Sequence, residues 1–84
     1  MSSGDVVVYS TVFCAPCERL KAHLSARGVA FAVKDPMMDE DAADFLESRD
    51  IRTTPVLVVG DEVVVGFDMA RVDDLLARAG LDPG

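Results

Sequence analysis

Short apolar runs alternate with amphipathic stretches along the chain, and this alternation predicts its strands and helices. The run Val6–Tyr9 is apolar and mostly β-branched, as expected for a central strand that is buried on both faces. Cys17, Leu20 and Leu24 then recur at helical spacing, and this stretch ends at Gly28, a residue suited to a left-handed helix C-cap. The pattern therefore predicts a strand followed directly by a helix.

The middle of the chain repeats this order of strand and helix. Residues 30–34 predict a second strand, and residues 39–49 predict a second helix. The predicted inward face of that helix is apolar and consists of Ala42, Phe45 and Leu46. The helix starts with consecutive acids, Asp39, Glu40 and Asp41. Acids at this end complement the helix dipole, so the acidic run has a structural explanation.

The last third of the chain predicts a hairpin and a third helix. Residues 56–59 and 62–65 flank a Gly-Asp pair, which suits a two-residue turn with glycine first, so these strands should be antiparallel. Asp68 can cap a helix that Gly80 ends, and one face of this helix is apolar: Val72, Leu75, Leu76 and Ala79. The element order βαβαββα predicts an α/β fold with one sheet and helices packed over it.

Length, charge and cysteine content narrow the class of protein. The chain has 84 residues, of which 50% are hydrophobic and 27% charged, so we expect one globular domain over residues 1–84. Its net charge of -7 would repel a phosphate backbone, which argues against a nucleic-acid partner. The first apolar stretch is short and interrupted, so we expect no membrane or export segment. Two cysteines only three positions apart disfavour a secreted disulfide scaffold, and we expect a cytoplasmic location.

The most informative motif is Cys14-Ala15-Pro16-Cys17, between the first predicted strand and helix. Side chains three positions apart in a first helical turn have Cβ atoms roughly 5–6 Å apart, so a disulfide can close with little distortion. Pro16 falls where its missing N–H forfeits no helical hydrogen bond, and it stiffens the loop. This placement predicts a redox-active pair rather than an inert one.

The two cysteines have different predicted roles. Cys17 continues the buried stripe of the helix, whereas Cys14 lies at the helix N-terminus, where free backbone N–H groups stabilise a thiolate. We therefore predict Cys14 as the nucleophile, Cys17 as the resolving cysteine and Pro16 as their catalytic support.

Other residues near the motif have competing interpretations. An intrachain zinc site is disfavoured because the chain has two cysteines and one histidine. That histidine, His23, is predicted to be a surface residue. Val12 and Phe13 have two equally weighted interpretations, as core residues or as an exposed docking patch beside Cys14.

Four short sequence blocks resemble those of the glutaredoxins of the thioredoxin-fold superfamily, including glutaredoxin-like redoxins, and they occur in the same order. The resemblance extends from Val6 to about Ala79. The blocks are Val8-Tyr9-Ser10 before the cysteine motif, Arg19-Leu20-Lys21 after it, Arg52-Thr53-Thr54-Pro55, and Gly66-Phe67-Asp68. The resemblance implies a thioredoxin fold with sheet order 2-1-3-4 and three flanking helices. It also implies a cis bond before Pro55 and a Cys14 that faces this proline.

The resemblance further implies a substrate-binding surface of Thr11, Phe13, Arg52, Thr54, Pro55, Gly66, Phe67 and Asp68. In such a surface the Thr54 backbone pairs with an extended substrate chain, Gly66 allows close approach and Asp68 lies near the ligand's amino end. A turn and a helix cap are the structural alternatives for Gly66 and Asp68. The chain has Thr11 where many glutaredoxins carry a lysine, which predicts weaker recognition of the glutathione carboxylate.

These features predict a dithiol thiol-disulfide oxidoreductase that reduces protein disulfides or mixed disulfides with small thiols. We expect no tightly bound cofactor and no metal. We expect the protein to be a monomer whose partners are disulfide-containing proteins. Its electrons would come from glutathione, from another small thiol or from a thioredoxin-reductase-type protein. The alternative is a nonenzymatic module that binds a partner or bridges a 2Fe-2S cluster in a dimer, which an absorption spectrum after anaerobic reconstitution would detect.

Overall fold

The computed structural model describes residues 6–80, so the ends of the predicted domain, residues 1–5 and 81–84, lie outside the described residues. The described elements follow the predicted order: β1 Val6–Tyr9, α1 Ala15–Ala26, β2 Ala32–Lys34, α2 Glu40–Ser48, β3 Val56–Val59, β4 Glu62–Val65 and α3 Met69–Arg78. Strand β2 starts later than predicted, because its pairing with β1 begins at Ala32. Within this part of the chain, no helix is long and apolar enough to cross a membrane.

One mixed sheet has the strand order β2-β1-β3-β4, which confirms the predicted α/β class and the sheet order. Strand β1 pairs in parallel with β2, placing Val8 opposite Val33. It pairs antiparallel with β3, where Val8 lies opposite Leu57. Strands β3 and β4 are antiparallel and place Leu57 opposite Val64. Because β1 and β3 run in opposite directions, the chain leaving β1 lies beside the chain entering β3.

The sheet buries apolar side chains on both faces. Alternate residues of β1 point to opposite faces, so Val6 and Val8 join the larger core cluster, whereas Tyr9 joins the smaller one. The larger cluster also contains side chains of α1 and α3, and the smaller one contains side chains of α2. The ring of Phe45 on α2 stacks on that of Tyr9 with centroids 5.3 Å apart. The predicted burial of β1 on both faces is confirmed.

The hairpin turn has the predicted geometry. Val59 pairs with Glu62, which leaves Gly60 and Asp61 as the two turn residues. Gly60 has a φ of +59°, whereas Asp61 does not have a positive φ. A positive φ at only the first turn position is the requirement of a type II′ turn, and glycine satisfies it without a Cβ clash.

Helices α1 and α3 are joined by a polar contact that corrects the prediction for His23. Its side chain is only 13% exposed, and its Nε2 lies 2.7 Å from Oδ1 of Asp73 on α3. Arg27 donates from Nη2 to the other carboxylate oxygen of Asp73 at 3.0 Å, and the Phe67 ring meets the imidazole edge-on. The surface prediction for His23 is wrong because its neighbour in space comes from α3, fifty positions away along the chain.

Candidate functional site

The cysteine pair lies where β1 ends and α1 begins. Cys14 is the N-cap of α1, and its Sγ accepts a hydrogen bond from the backbone N–H of Cys17 at 3.2 Å. The Cα atoms of the two cysteines are 5.2 Å apart, and the side chains form a disulfide. Pro16 lies in the first turn, where the helix needs no donor from it. The predicted geometry of the motif is therefore present.

The two sulfur-bearing residues differ in access to solvent. Cys17 is completely buried with Leu20 and Leu24 on the inward face of α1. Cys14 is only partly buried, and it lies at the positive end of the helix dipole. A substrate disulfide can therefore reach Cys14 directly, whereas Cys17 is accessible mainly to its partner.

The loop before β3 faces Cys14 from the other side. The Thr54-Pro55 peptide bond is cis, as the family resemblance implied. The carbonyl oxygen of Thr54 lies 3.9 Å from Cys14 Sγ, and its hydroxyl oxygen lies 3.7 Å from the same sulfur. Gly66 donates its N–H to the Pro55 carbonyl at 2.8 Å, so the end of β4 also adjoins this loop.

Thr11 completes this side of the site. It lies in the loop that connects β1 to Cys14, and its Oγ1 is 3.1 Å from Oγ1 of Thr54. Two hydroxyl groups that are 43 positions apart in sequence therefore meet beside the cysteine pair.

The side chains of Val12 and Phe13 point into solvent, so their interpretation as core residues is wrong. Val12 is 68% exposed, and Phe13 is as exposed as it would be in an extended peptide. Phe13 also has a φ of +57°, a left-handed conformation that is rare for a bulky residue. The backbone thus holds an aromatic ring out of the core immediately before Cys14.

An open groove of about 660 Å³ extends from Thr11 and Thr54 toward the C-terminal end of α2. Its charged lining residues are Glu47, Asp50 and Arg52. Arg52 donates from Nη2 to Oδ1 of Asp50 at 3.1 Å, and both side chains are exposed. The sequence patterns did not place Glu47 or Asp50 at the site. The position of Asp50 could have been noticed, because an Asp directly after a predicted helix is well suited to a left-handed conformation. Asp50 has this conformation, with a φ of +58°.

The remaining predicted residues have structural roles in the described contacts. Phe67 is partly buried against the larger core cluster and contacts His23. Asp68 caps α3, and its Oδ1 accepts a hydrogen bond from the Arg71 N–H at 3.3 Å. Their roles toward substrate stay predictions. Among residues 6–80, no three His, Cys, Asp or Glu side chains are grouped in a way that could hold a metal ion.

The fold and the Cys-X-X-Cys pair define the class of protein: a thioredoxin-fold thiol-disulfide oxidoreductase. The chain belongs to the glutaredoxin family, whose sequence pattern matches residues 6–64. It is 30% identical to the gene 56 protein of Mycobacterium phage L5 over 75 residues, which are 87% of this chain and 73% of that protein. It is 26% identical to a glutaredoxin-like 8.6 kDa protein of the Clostridium pasteurianum rubredoxin operon, covering 87% of this chain and 99% of that protein.

Solved structures agree with this family. The thioredoxin-like protein BC3987 is similar with a TM-score of 0.79 and 33% identity, over 86% of this chain and 100% of that chain. The glutaredoxin-like NrdH-redoxin of Escherichia coli is similar with a TM-score of 0.78 and 25% identity, over 84% of this chain and 93% of that chain.

Proposed function

We propose that this protein reduces protein disulfides through a two-cysteine exchange, with Cys14 as the nucleophile and Cys17 as the resolving thiol. The observation that carries the proposal is their asymmetry: Cys14 is partly exposed and accepts a backbone hydrogen bond, whereas Cys17 is completely buried beside it. Only the thiolate attacks a disulfide, and N–H groups at a helix N-terminus stabilise that form.

The exchange proceeds in two balanced steps. The Cys14 thiolate attacks one substrate sulfur, forms a mixed disulfide and expels the other sulfur as a thiolate, which takes a proton from water. Cys17 then loses its proton and attacks Cys14 Sγ, so the second substrate thiolate leaves and the Cys14–Cys17 disulfide forms. The substrate gains two electrons, and a small thiol or a thioredoxin-reductase-type protein must return two electrons to the pair.

The charges in the groove favour protein disulfides over glutathione. Glutathione carries carboxylates, and a groove that binds it needs available cations. Here Thr11 is neutral, and the two acids Glu47 and Asp50 outnumber the one cation of the groove lining, Arg52. The exposed Phe13 ring beside Cys14 offers apolar area to a protein surface. The thioredoxin-like activity profile of the Escherichia coli NrdH-redoxin, which is structurally similar, is consistent with this choice.

Matched cysteine variants test the proposal. Cys14→Ser should lose all reduction of a protein disulfide, because a hydroxyl neither ionises near neutral pH nor exchanges with sulfur. Cys17→Ser should still attack but should accumulate a mixed disulfide, visible as a mass increase that dithiothreitol reverses. The proposal would be wrong if Cys14→Ser had the same reductase activity as the parent. Supplying electrons through either glutathione or a thioredoxin-reductase system then identifies the donor class.

A further inference from the structure

Three polar groups of the described residues lie around Cys14 Sγ. They are the Cys17 N–H at 3.2 Å, the Thr54 hydroxyl at 3.7 Å and the Thr54 carbonyl oxygen at 3.9 Å. A disulfide sulfur has no proton to donate, so the Thr54 hydroxyl must be the donor in its contact with sulfur. When that hydroxyl directs its one proton to the sulfur, it accepts from Thr11, whose Oγ1 lies 3.1 Å away. One orientation of the two hydroxyl protons therefore satisfies both contacts.

We propose that Thr11 and Thr54 form a hydroxyl relay that stabilises the Cys14 thiolate, with Thr54 donating to the sulfur and Thr11 donating to Thr54. This inference rests on the proposed function, because it assigns positioning residues to its nucleophile. A donor to the charged form of a group favours that form, and a second donor polarises the first. The Thr54 carbonyl acts in the opposite sense, since it can accept only from the protonated thiol. Two donors against one acceptor favour the thiolate.

The relay is neutral, and cationic side chains on the neighbouring segments form ion pairs. On α1, Lys21 pairs with Glu18 at 2.7 Å. On the loop after α2, Arg52 pairs with Asp50 at 3.1 Å. Neutral donors stabilise a thiolate without adding a cation that would attract anionic thiols. The relay therefore supports the preference for protein disulfides proposed above.

The test titrates the Cys14 thiolate by its ultraviolet absorbance, in a reduced Cys17→Ala background where only one thiol remains and no new hydroxyl is introduced. Thr54→Val should lower the ratio of thiolate to thiol at a given pH about fivefold, the effect of losing one moderately strong hydrogen bond. Thr54→Ser keeps the donor and should titrate like the parent. Ser48→Ala removes an exposed hydroxyl on α2 that donates to the Phe45 carbonyl at 2.7 Å, and it should also titrate like the parent.

A double-mutant cycle separates the relay from two independent effects. Thr11→Val alone should lower the ratio of Cys14 thiolate to thiol at a given pH about twofold, because it removes only the donor that polarises the Thr54 hydroxyl. In the Thr54→Val background the same change should have no effect. The relay is wrong if Thr54→Val titrates like the parent, if Thr54→Ser does not restore the parent curve, or if Thr11→Val acts equally in both backgrounds. Circular dichroism and the thermal midpoint of each variant establish that it is folded.

The titration needs no substrate, so its outcome is independent of the reductase assay. If the relay is present but Cys14→Ser remains active, the proposed function fails while the relay stands. If Cys14→Ser is inactive but the Thr54 variants titrate alike, the function stands and the relay fails.

Discussion

The exposed ring of Phe13 should serve partner binding rather than stability, and Phe13→Gly separates the two. The ring makes no contribution to the core because the residue is fully exposed. Its φ of +57° costs a non-glycine residue about 1–2 kcal/mol, and glycine avoids that cost. The greater chain entropy of glycine offsets roughly 0.5–1 kcal/mol of this gain. We therefore expect the free energy of unfolding of Phe13→Gly to be unchanged or higher by up to about 1.5 kcal/mol.

The same change should impair activity toward proteins. An aromatic side chain offers about 150–250 Å² of surface, so a partner that covers half of it buries roughly 100 Å². Burial of that area stabilises a complex by about 2 kcal/mol, allowing for losses on association. Loss of this contact lowers kcat/KM about 30-fold. A small neutral disulfide such as bis(2-hydroxyethyl) disulfide does not reach the ring, so its kcat/KM should stay near that of the parent.

The assay compares kcat/KM on a protein disulfide and on the small disulfide, together with thermal unfolding. Phe13→Leu keeps an apolar side chain and should recover most of the protein activity. Val33→Ala removes an exposed apolar side chain from the edge strand β2, and it should leave both activities unchanged. A protein-disulfide kcat/KM for Phe13→Gly equal to that of the parent would refute the docking role. A thermal midpoint many degrees lower would show instead that the ring is packed.

Two further predictions concern stability and selectivity. Asp73→Ala should lower the free energy of unfolding by about 1–2 kcal/mol, and the thermal midpoint by roughly 5–15 °C, because the carboxylate bridges α1 and α3 through Arg27 and His23. Asp74→Ala removes an exposed ion pair with Arg78 on α3 and should change the free energy of unfolding by less than about 0.5 kcal/mol. Equal losses of stability in the Asp73 and Asp74 variants would refute the stabilising role of the Asp73 contacts. Thr11→Lys should raise activity with glutathione disulfide relative to a neutral disulfide. A constant ratio would show that no carboxylate binds near Thr11.

Some features of the candidate site could be predicted from neighbouring residues in the sequence, and others could not. The different burial of the two cysteines was predictable because helical spacing alone places Cys17 with Leu20 and Leu24, and leaves Cys14 at the helix end. The cis bond before Pro55 came from family resemblance, since the local sequence does not distinguish the two isomers. Phe13 was undecided because an apolar residue in a loop fits a core and a docking surface equally well.

Local sequence patterns were enough to predict the helices, the strands and the Cys-X-X-Cys motif. Hydrophobic periodicity, the capping Asp68 and the Gly60 turn act over a few residues, so each could be inferred from its neighbours in the chain. The contacts of Thr11 with Thr54 and of His23 with Asp73 became visible only in the folded chain. These partners lie 43 and 50 positions apart, and strand register and helix packing bring them together. Local propensity contains no information about such contacts, because they depend on which distant surfaces are buried against each other.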